Sequence, residues 1–286
     1  MSSANRHLSD RQLRAMTDEL DQMHRDQGLP ALRSAVTEWM AAFRDSGGAT
    51  SRRTTSRRTF LLGAAGVGAS GALVAACGAS SRTSAPTTVA PPSTAAGSAS
   101  AASGSLSGDL AVAATAASLE NLGVYTYNAA ITAATAGKLG DVPPAVVTFA
   151  KTAMAQHHDH AQAWNSALKA AGRPAVTATD PVLTPTVNAA FAKVTNVSQL
   201  AQLALLVENI AAQTYQNAIP VLSDKSSIGV AATIQPVEMQ HAAILYYVLG
   251  EYPGIQGTQS NMYASGTPLA FNPTALARPA TDYKGA

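Results

Sequence analysis

Ionisable side chains near the middles of apolar helical stretches are the feature that most constrains the fold of this sequence. In the last stretch, residues 228–249, Glu238 and His241 are three positions apart and so lie on one face of a helix. Three earlier stretches carry Glu120, His157 with His160, and Glu208. A carboxylate turned into a core is costly unless it is paired, hydrogen-bonded or bound to a metal. The pattern therefore predicts a helical bundle whose helices share a central ion.

The spacing of these groups predicts how the helices connect. The intervals from 120 to 157 and from 208 to 238 each leave room for half a helix, a turn and half a helix back to the same depth. We expect helices A (109–136), B (143–171), C (198–222) and D (226–249). Between B and C, residues 173–196 are long enough for a crossover with one short helix near 189–194.

Residues 109–250 resemble the ferritin-like domains of secreted bacterial proteins. In that family, helices A and C each supply one Glu to a pair of metal ions, and helices B and D each supply Glu-x-x-His. The matching residues are Glu120 in A, Glu208 in C, and Glu238 with His241 in D. The resemblance implies an all-α fold, a ferritin-like four-helix bundle of two antiparallel hairpins joined by a long crossover.

Helix B departs from the family pattern. It reads AMAQHHDHAQAW, so His160 takes the His position and His157 stands where a Glu is expected. An imidazole brings no negative charge and does not bridge two ions as a carboxylate does. The resemblance implies iron or manganese, as a pair of ions, while a single ion, zinc or no metal stays open. The implied ligands are Glu120, His157, His160, Glu208, Glu238 and His241.

The implied function is ferroxidase or peroxide-handling oxidoreductase chemistry at this carboxylate and histidine site. The alternative is a catalytically inactive module for envelope interaction or stress protection. Two features favour this alternative: His157 in helix B, in place of a Glu, and Pro236 inside helix D. Whether the chain is an enzyme stays open, and no catalytic residue is assigned. Four tyrosines are expected to be core residues or hydrogen-bond partners rather than radical sites: Tyr125, Tyr127, Tyr215 and Tyr246.

Residues 51–77 resemble a twin-arginine export signal joined to a lipobox. Arg57 and Arg58 precede an apolar segment that ends at LVAAC, with Cys77 as the residue that would be lipidated. A membrane-spanning anchor is the alternative, although the apolar run is shorter than the ~20 residues that a span needs. The resemblance implies the twin-arginine export machinery as a partner. It also implies a location on the outer face of the cytoplasmic membrane, anchored through lipidated Cys77.

The remaining segments frame these two parts. Residues 1–50 carry two amphipathic stripes and predict an N-terminal cytoplasmic helical extension, either a partner-binding segment or sequence upstream of a true start at Met40. Residues 78–108 are rich in Ser, Ala, Thr and Pro and predict a disordered linker. Residues 251–286 predict an irregular tail. The net charge of +2 gives no indication of nucleic-acid binding, and a single cysteine excludes a disulfide framework.

Overall fold

The computed structural model of the chain describes residues 9–47, 106 and 108–250. The predicted export signal with Arg57, Arg58 and Cys77, most of the predicted linker, and the tail lie outside the described residues. The described parts of the chain belong to one compact unit. Within them the regular structure is helical throughout, and none of these helices is both long enough and apolar enough to cross a membrane.

Four long helices form a bundle, which confirms the predicted fold class. They are α3 (Asp109–Thr135), α4 (Pro144–Ala170), α6 (Val197–Ala218) and α7 (Lys225–Val248), and they correspond to predicted helices A, B, C and D. Short connections join α3 to α4 and α6 to α7, so each pair packs as a hairpin. The predicted bounds differ from these by only a few residues.

The helix ends follow from local sequence. Pro143 and Pro144 open α4, where a missing backbone N–H costs nothing. The side chains of Asn196 and Asp224 accept backbone N–H bonds at the starts of α6 and α7. Its place at the start of predicted helix A makes Asp109 a plausible N-cap. That expectation is wrong, because Gly108 is the N-cap and Asp109 is the first residue of α3. Its carboxylate instead accepts hydrogen bonds from the start of α7: the N–H groups of Ser223 and Asp224 and the hydroxyl of Ser227.

The crossover contains α5 (Leu183–Phe191), slightly earlier than the predicted short helix. Side-chain amides of the bundle hold the chain before it. Asn165 exchanges two hydrogen bonds with the backbone of Val176, and Asn121 donates to the Val176 carbonyl. A proline inside a helix predicts a kink or a local bulge at Pro236. α7 stays α-helical through Pro236, without a bulge there.

An N-terminal helix adds a fifth layer to the bundle. It consists of α1 (Asp10–Met23), a π-turn (His24–Gly28) and α2 (Leu29–Gly47). Both α1 and α2 pack against α4 and α7, and the Trp39 ring lies 6.0 Å from that of Trp164. The predicted capping box at Ser9 is present. The side chains that this packing buries are Leu13, Thr17, Leu20, His24, Leu32, Val36 and Trp39.

The packing of this helix onto the bundle was not predicted from the sequence. The stripes of residues 1–50 required an apolar partner, but they did not show that the partner lies in the same chain. Residues before Met40 pack in the same unit as the bundle.

Candidate metal centre

The six predicted ligand residues lie together at the centre of the bundle. Each is at most 1% exposed, because every helix turns the middle of its inner face toward the same point. Their ligand atoms form two groups, each with its atoms within 4.8 Å of one another. We call them the His160 half (Glu120, His157, His160 and Glu238) and the His241 half (His157, Glu208, Glu238 and His241).

His157 lies between the two halves. Its Nδ1 is 2.8 Å from Glu120 Oε2, and its Nε2 is 3.2 Å from Glu208 Oε1. The imidazole that replaces the expected Glu therefore faces a carboxylate of each half. His158, its neighbour in the sequence, is exposed, as the helical spacing predicted.

Gly123 makes room for the His157 ring. A Cβ at position 123 would lie only 2.7–2.9 Å from three atoms of that ring, which is closer than real Cβ contacts. Gly123 follows Glu120 by about one turn of α3, so the glycine and the histidine depend on each other. The sequence signal was a glycine in the middle of a long helix, where it costs stability unless something packs against it.

Two tyrosines hold the two single-Glu ligands. The Tyr127 hydroxyl donates to Glu208, and the Tyr215 hydroxyl donates to Glu120, so α3 and α6 exchange equivalent bonds. The sequence carries a signal for this arrangement in a short repeat, ENLGVYTY from 120 and ENIAAQTY from 208. The expectation that these tyrosines are hydrogen-bond partners is confirmed. Tyr125, in contrast, is exposed and donates to Asn188.

The histidines of the two halves have different neighbours. His241 Nε2 donates to Gln156 Oε1 at 2.8 Å, which leaves His241 Nδ1 facing Glu208 at 3.3 Å. His160 instead lies beside His24 of the N-terminal π-turn, with ring centroids 5.4 Å apart. Neither the bond from His241 to Gln156 nor the place of His24 beside His160 was predicted from the sequence.

Comparison with known proteins places the bundle in a family. Residues 108–251 match the family model of the ferritin-like domain. The chain belongs to this family. No curated protein and no solved structure matches the chain significantly. The ferritin-like domain spans α3 to α7, and the N-terminal helix lies outside the matched residues.

Charges within the ferritin-like centre balance one another. Burial alone would raise the pKa of Glu120, but His160 and His157 outweigh it and lower the pKa to about 2. Burial alone would lower the pKa of His160, yet Glu120 and Glu238 raise it to about 9. Burial would lower the pKa values of His157 and His241, but neighbouring carboxylates outweigh it and raise them. Burial would raise the pKa of Glu208, but His241 and His157 outweigh it and lower that pKa. Without a metal, protonated imidazoles therefore lie between ionised carboxylates.

Other groups at the ferritin-like centre remain neutral. Burial, with Glu208 and Glu120 adding to it, raises the pKa of Tyr127 and Tyr215 well above the usual value, so both phenols stay protonated and keep donating. Burial, with His160 next, lowers the pKa of His24 to about 4. The His24 imidazole is therefore uncharged at neutral pH.

The geometry around Glu238 fits a metal ion. Its Oε1 is 2.9 Å from His160 Nδ1 and its Oε2 is 3.6 Å from His157 Nδ1. These are ion-pair distances, but none of the three buried atoms, the two carboxylate oxygens and His160 Nδ1, makes a hydrogen bond of good geometry. Buried polar atoms without partners are costly. A cation would satisfy the two oxygens, and carboxylates combined with imidazoles suit iron, manganese or zinc.

Proposed function

We propose that this chain is an exported, lipid-anchored ferritin-like metalloprotein with ferroxidase or peroxide-handling activity. Its centre would bind iron or manganese. The observation that carries the proposal is Glu238, a fully buried carboxylate that makes ion pairs with three histidines but no hydrogen bond of good geometry, and that is shared by both groups of candidate ligands. Fe²⁺ would be the electron donor, and dioxygen or peroxide would be the acceptor.

The two halves of the centre suggest which residues would bind each ion and which would orient the ligands. Glu120 with His160, and Glu208 with His241, would each hold one ion, while Glu238 and His157 face both positions. The metal, when bound, supplies one-electron redox chemistry. Tyr127 and Tyr215 fix the orientation of the two single-Glu ligands, and Gln156 holds His241 with Nδ1 facing inward. The surrounding apolar side chains exclude water from the centre.

Metal binding would displace protons from this centre. The imidazoles of His157, His160 and His241 favour the protonated form because carboxylates surround them. A metal ligand must offer a free nitrogen, so binding competes with protonation and strengthens as pH rises.

Elemental analysis of the full chain, purified without chelator, tests the proposal. About two equivalents of iron or manganese that are lost in Glu238→Gln would support the pair of ions. One equivalent, or zinc, would indicate an altered site without the proposed redox activity. Absence of metal from protein produced in metal-rich medium would refute the proposal. Circular dichroism of the variant establishes that it is folded.

The export part of the proposal rests on Arg57, Arg58 and Cys77. Replacing both arginines by lysine should retain the chain in the cytoplasm, and Cys77→Ser should abolish incorporation of a labelled fatty acid. A natural control is Arg52→Lys with Arg53→Lys, an arginine pair just upstream that is not followed directly by the apolar segment. Equal retention by both double variants would contradict the assigned motif.

A second candidate function is an inactive envelope module, and the self-balanced centre favours it. His157 bonds both Glu120 and Glu208 without any metal. Under this alternative, removing metal with a chelator leaves the melting temperature unchanged. Under the proposal, chelation lowers it, because an ion that binds only the folded chain stabilises that chain.

A further inference from the structure

His24 is a buried histidine that the centre described above does not use. It begins the π-turn that joins α1 to α2 and is only 4% exposed. Neither of its ring nitrogens has a hydrogen-bond partner. Single π-turns within helices are frequent at functional sites. With only a long contact of 3.4 Å from Nε2 to Asp159, this buried imidazole can take a ligand.

His24 lies between an accessible carboxylate and the metal centre. On one side, its Nε2 is 3.4 Å from Asp159 Oδ2, and the Asp159 side chain is 42% exposed. On the other side, its ring is 5.4 Å from the ring of His160. Asp159, His24 and His160 thus form a continuous series of metal-ligating groups from the surface to the His160 half.

A cleft leads to the outer end of this series. It lies between α2 and α4, has a volume of about 270 Å³, and is lined by Asp159 together with Arg33 and Met40. Two smaller pockets among the described helices hold only about 30 and 10 Å³, and His157 lines the smaller one. Asp159 is the one carboxylate among the described residues that line this cleft, and it offsets the charge of Arg33.

We propose that His24 and Asp159 form a transit site through which a divalent cation passes from the cleft to His160. The inference rests on the proposed metal binding and deepens it. The carboxylate would take the hydrated ion at the cleft, and the imidazole would replace part of its water shell. Two protein ligands hold an ion weakly, and weak binding is what passage requires.

The site would serve the unprocessed chain. His24 precedes Cys77, so the proposed cleavage at Cys77 would remove it together with the N-terminal helix. Metal loading through His24 would then occur before export.

Stopped-flow mixing of the metal-free full chain with Co²⁺, followed by visible absorption, tests the inference. We expect His24→Leu and Asp159→Asn to slow loading about tenfold, equivalent to about 1.4 kcal/mol in the barrier. The number of ions bound at equilibrium should not change. The matched control is His158→Ala, which changes an exposed histidine next to Asp159 on α4. This variant should take up metal at the wild-type rate.

The outcomes separate the two proposals. Unchanged rates in both variants would overturn the transit site while leaving the metal centre intact. Fewer ions at equilibrium in His24→Leu would overturn it as well, because His24 would then be a resident ligand. A wild-type chain that binds no Co²⁺, iron or manganese would refute the proposed function and the transit site with it. Asp159→Asn alters a partly exposed side chain and should fold normally. Its loading rate therefore tests the transit site even if His24→Leu folds poorly.

A disulfide lock tests the route. A Cβ at Gly229 on α7 would lie 3.3 Å from the Ala35 Cβ on α2, just below the ~3.5–4.5 Å that separates the Cβ atoms of a disulfide. Ala35→Cys with Gly229→Cys, in a Cys77→Ser background, should pin the N-terminal helix without slowing loading. Loading that becomes slow on oxidation and recovers on reduction would show that the whole helix must move, which contradicts passage through the cleft.

Discussion

The two halves of the metal centre are alike in their carboxylates and different in their histidines. Tyr127 holds Glu208 in the His241 half, and Tyr215 holds Glu120 in the His160 half. His241, however, is tied to Gln156 inside the bundle, whereas His160 Nδ1 has no hydrogen-bond partner. His160 also lies beside His24 of the N-terminal helix, outside the family match.

This difference follows from the sequence, in which α3 and α6 repeat the same ligand pattern and α4 and α7 do not. Helices α3 and α6 carry the same Glu and Tyr spacing, so their contributions are related by an approximate twofold arrangement. Helices α4 and α7 differ, with His157 in one place and Glu238 in the other. His24 of the N-terminal helix lies beside the histidine of the His160 half, whereas Gln156 of α4 bonds the histidine of the His241 half.

Glu238→Gln should have the largest effect, because it removes the carboxylate common to both halves. We expect loss of both ions and of the stabilisation that metal provides, about 2.7 kcal/mol for each ion when free metal is a hundred times Kd. Calorimetric melting with and without Mn²⁺ measures this. Gln235→Ala, on the same helix but outside the ligand groups, is the control. Retention of one ion by Glu238→Gln would show that one half binds without the shared carboxylate.

Tyr127→Phe and Tyr215→Phe compare the halves directly. Each removes one hydrogen bond to a buried carboxylate and should cost about 1.5–3 kcal/mol in unfolding free energy. Tyr215→Phe should cost more, because the Trp164 indole N–H that donates to its hydroxyl at 2.8 Å also loses its partner. Urea unfolding measures both. A larger cost for Tyr127→Phe would contradict the assigned bonding.

Gly123→Ala should disturb both halves at once, since a Cβ would collide with the shared His157 ring. We expect a loss of about 1–3 kcal/mol in unfolding free energy. The control is Gly229→Ala, where the nearest contact is a milder 3.3 Å.

A double variant sharpens this result. Because the clash needs the ring, Gly123→Ala combined with His157→Ala should cost less than the sum of the two single variants. Additive costs would show that Gly123 does not act through His157.

Gln156→Leu should affect the His241 half alone. Loss of the bond to His241 Nε2 frees the ring to turn, and such supporting contacts contribute at least about tenfold to metal affinity. Competition titration with a chelator should show one weakened ion and one unchanged ion. Equal weakening of both ions would mean that the halves are coupled more tightly than their separate contacts indicate.

The stability of the metal-free chain should also depend on pH. His160 has its pKa raised from 6.5 to about 9, so its stabilising contribution is complete below pH 6.5 and is lost as pH rises through 9. Glu120 has its pKa lowered from 4.5 to about 2, so its contribution is present above pH 4.5 and is lost as pH falls through 2. Unfolding free energy should therefore be lower at pH 9 than at pH 6, and His160→Gln should reduce that difference.

The sequence predicted the bundle and its six inward residues well, because helical spacing determines which face a residue occupies. It could not predict the supporting contacts, since those depend on the rotation of one helix against another. In the N-terminal segment the expected stripe contained Met16 and Met23, yet Thr17 and His24 are fully buried and the methionines only partly. A rotation of that size decides whether an imidazole or a thioether lies beside His160.

The N-terminal helix has a further consequence if the chain is cut before Cys77. While both parts belong to one polypeptide, the helix returns to its groove at the high effective concentration that a covalent link provides. After the cut, the same contacts would have to hold it as a separate peptide that dilution can remove. Binding of the N-terminal helix would thus change from an intramolecular equilibrium to a bimolecular one after a single irreversible hydrolysis. The surface of α4 and α7 would then be covered in unprocessed molecules and open to solvent in processed ones.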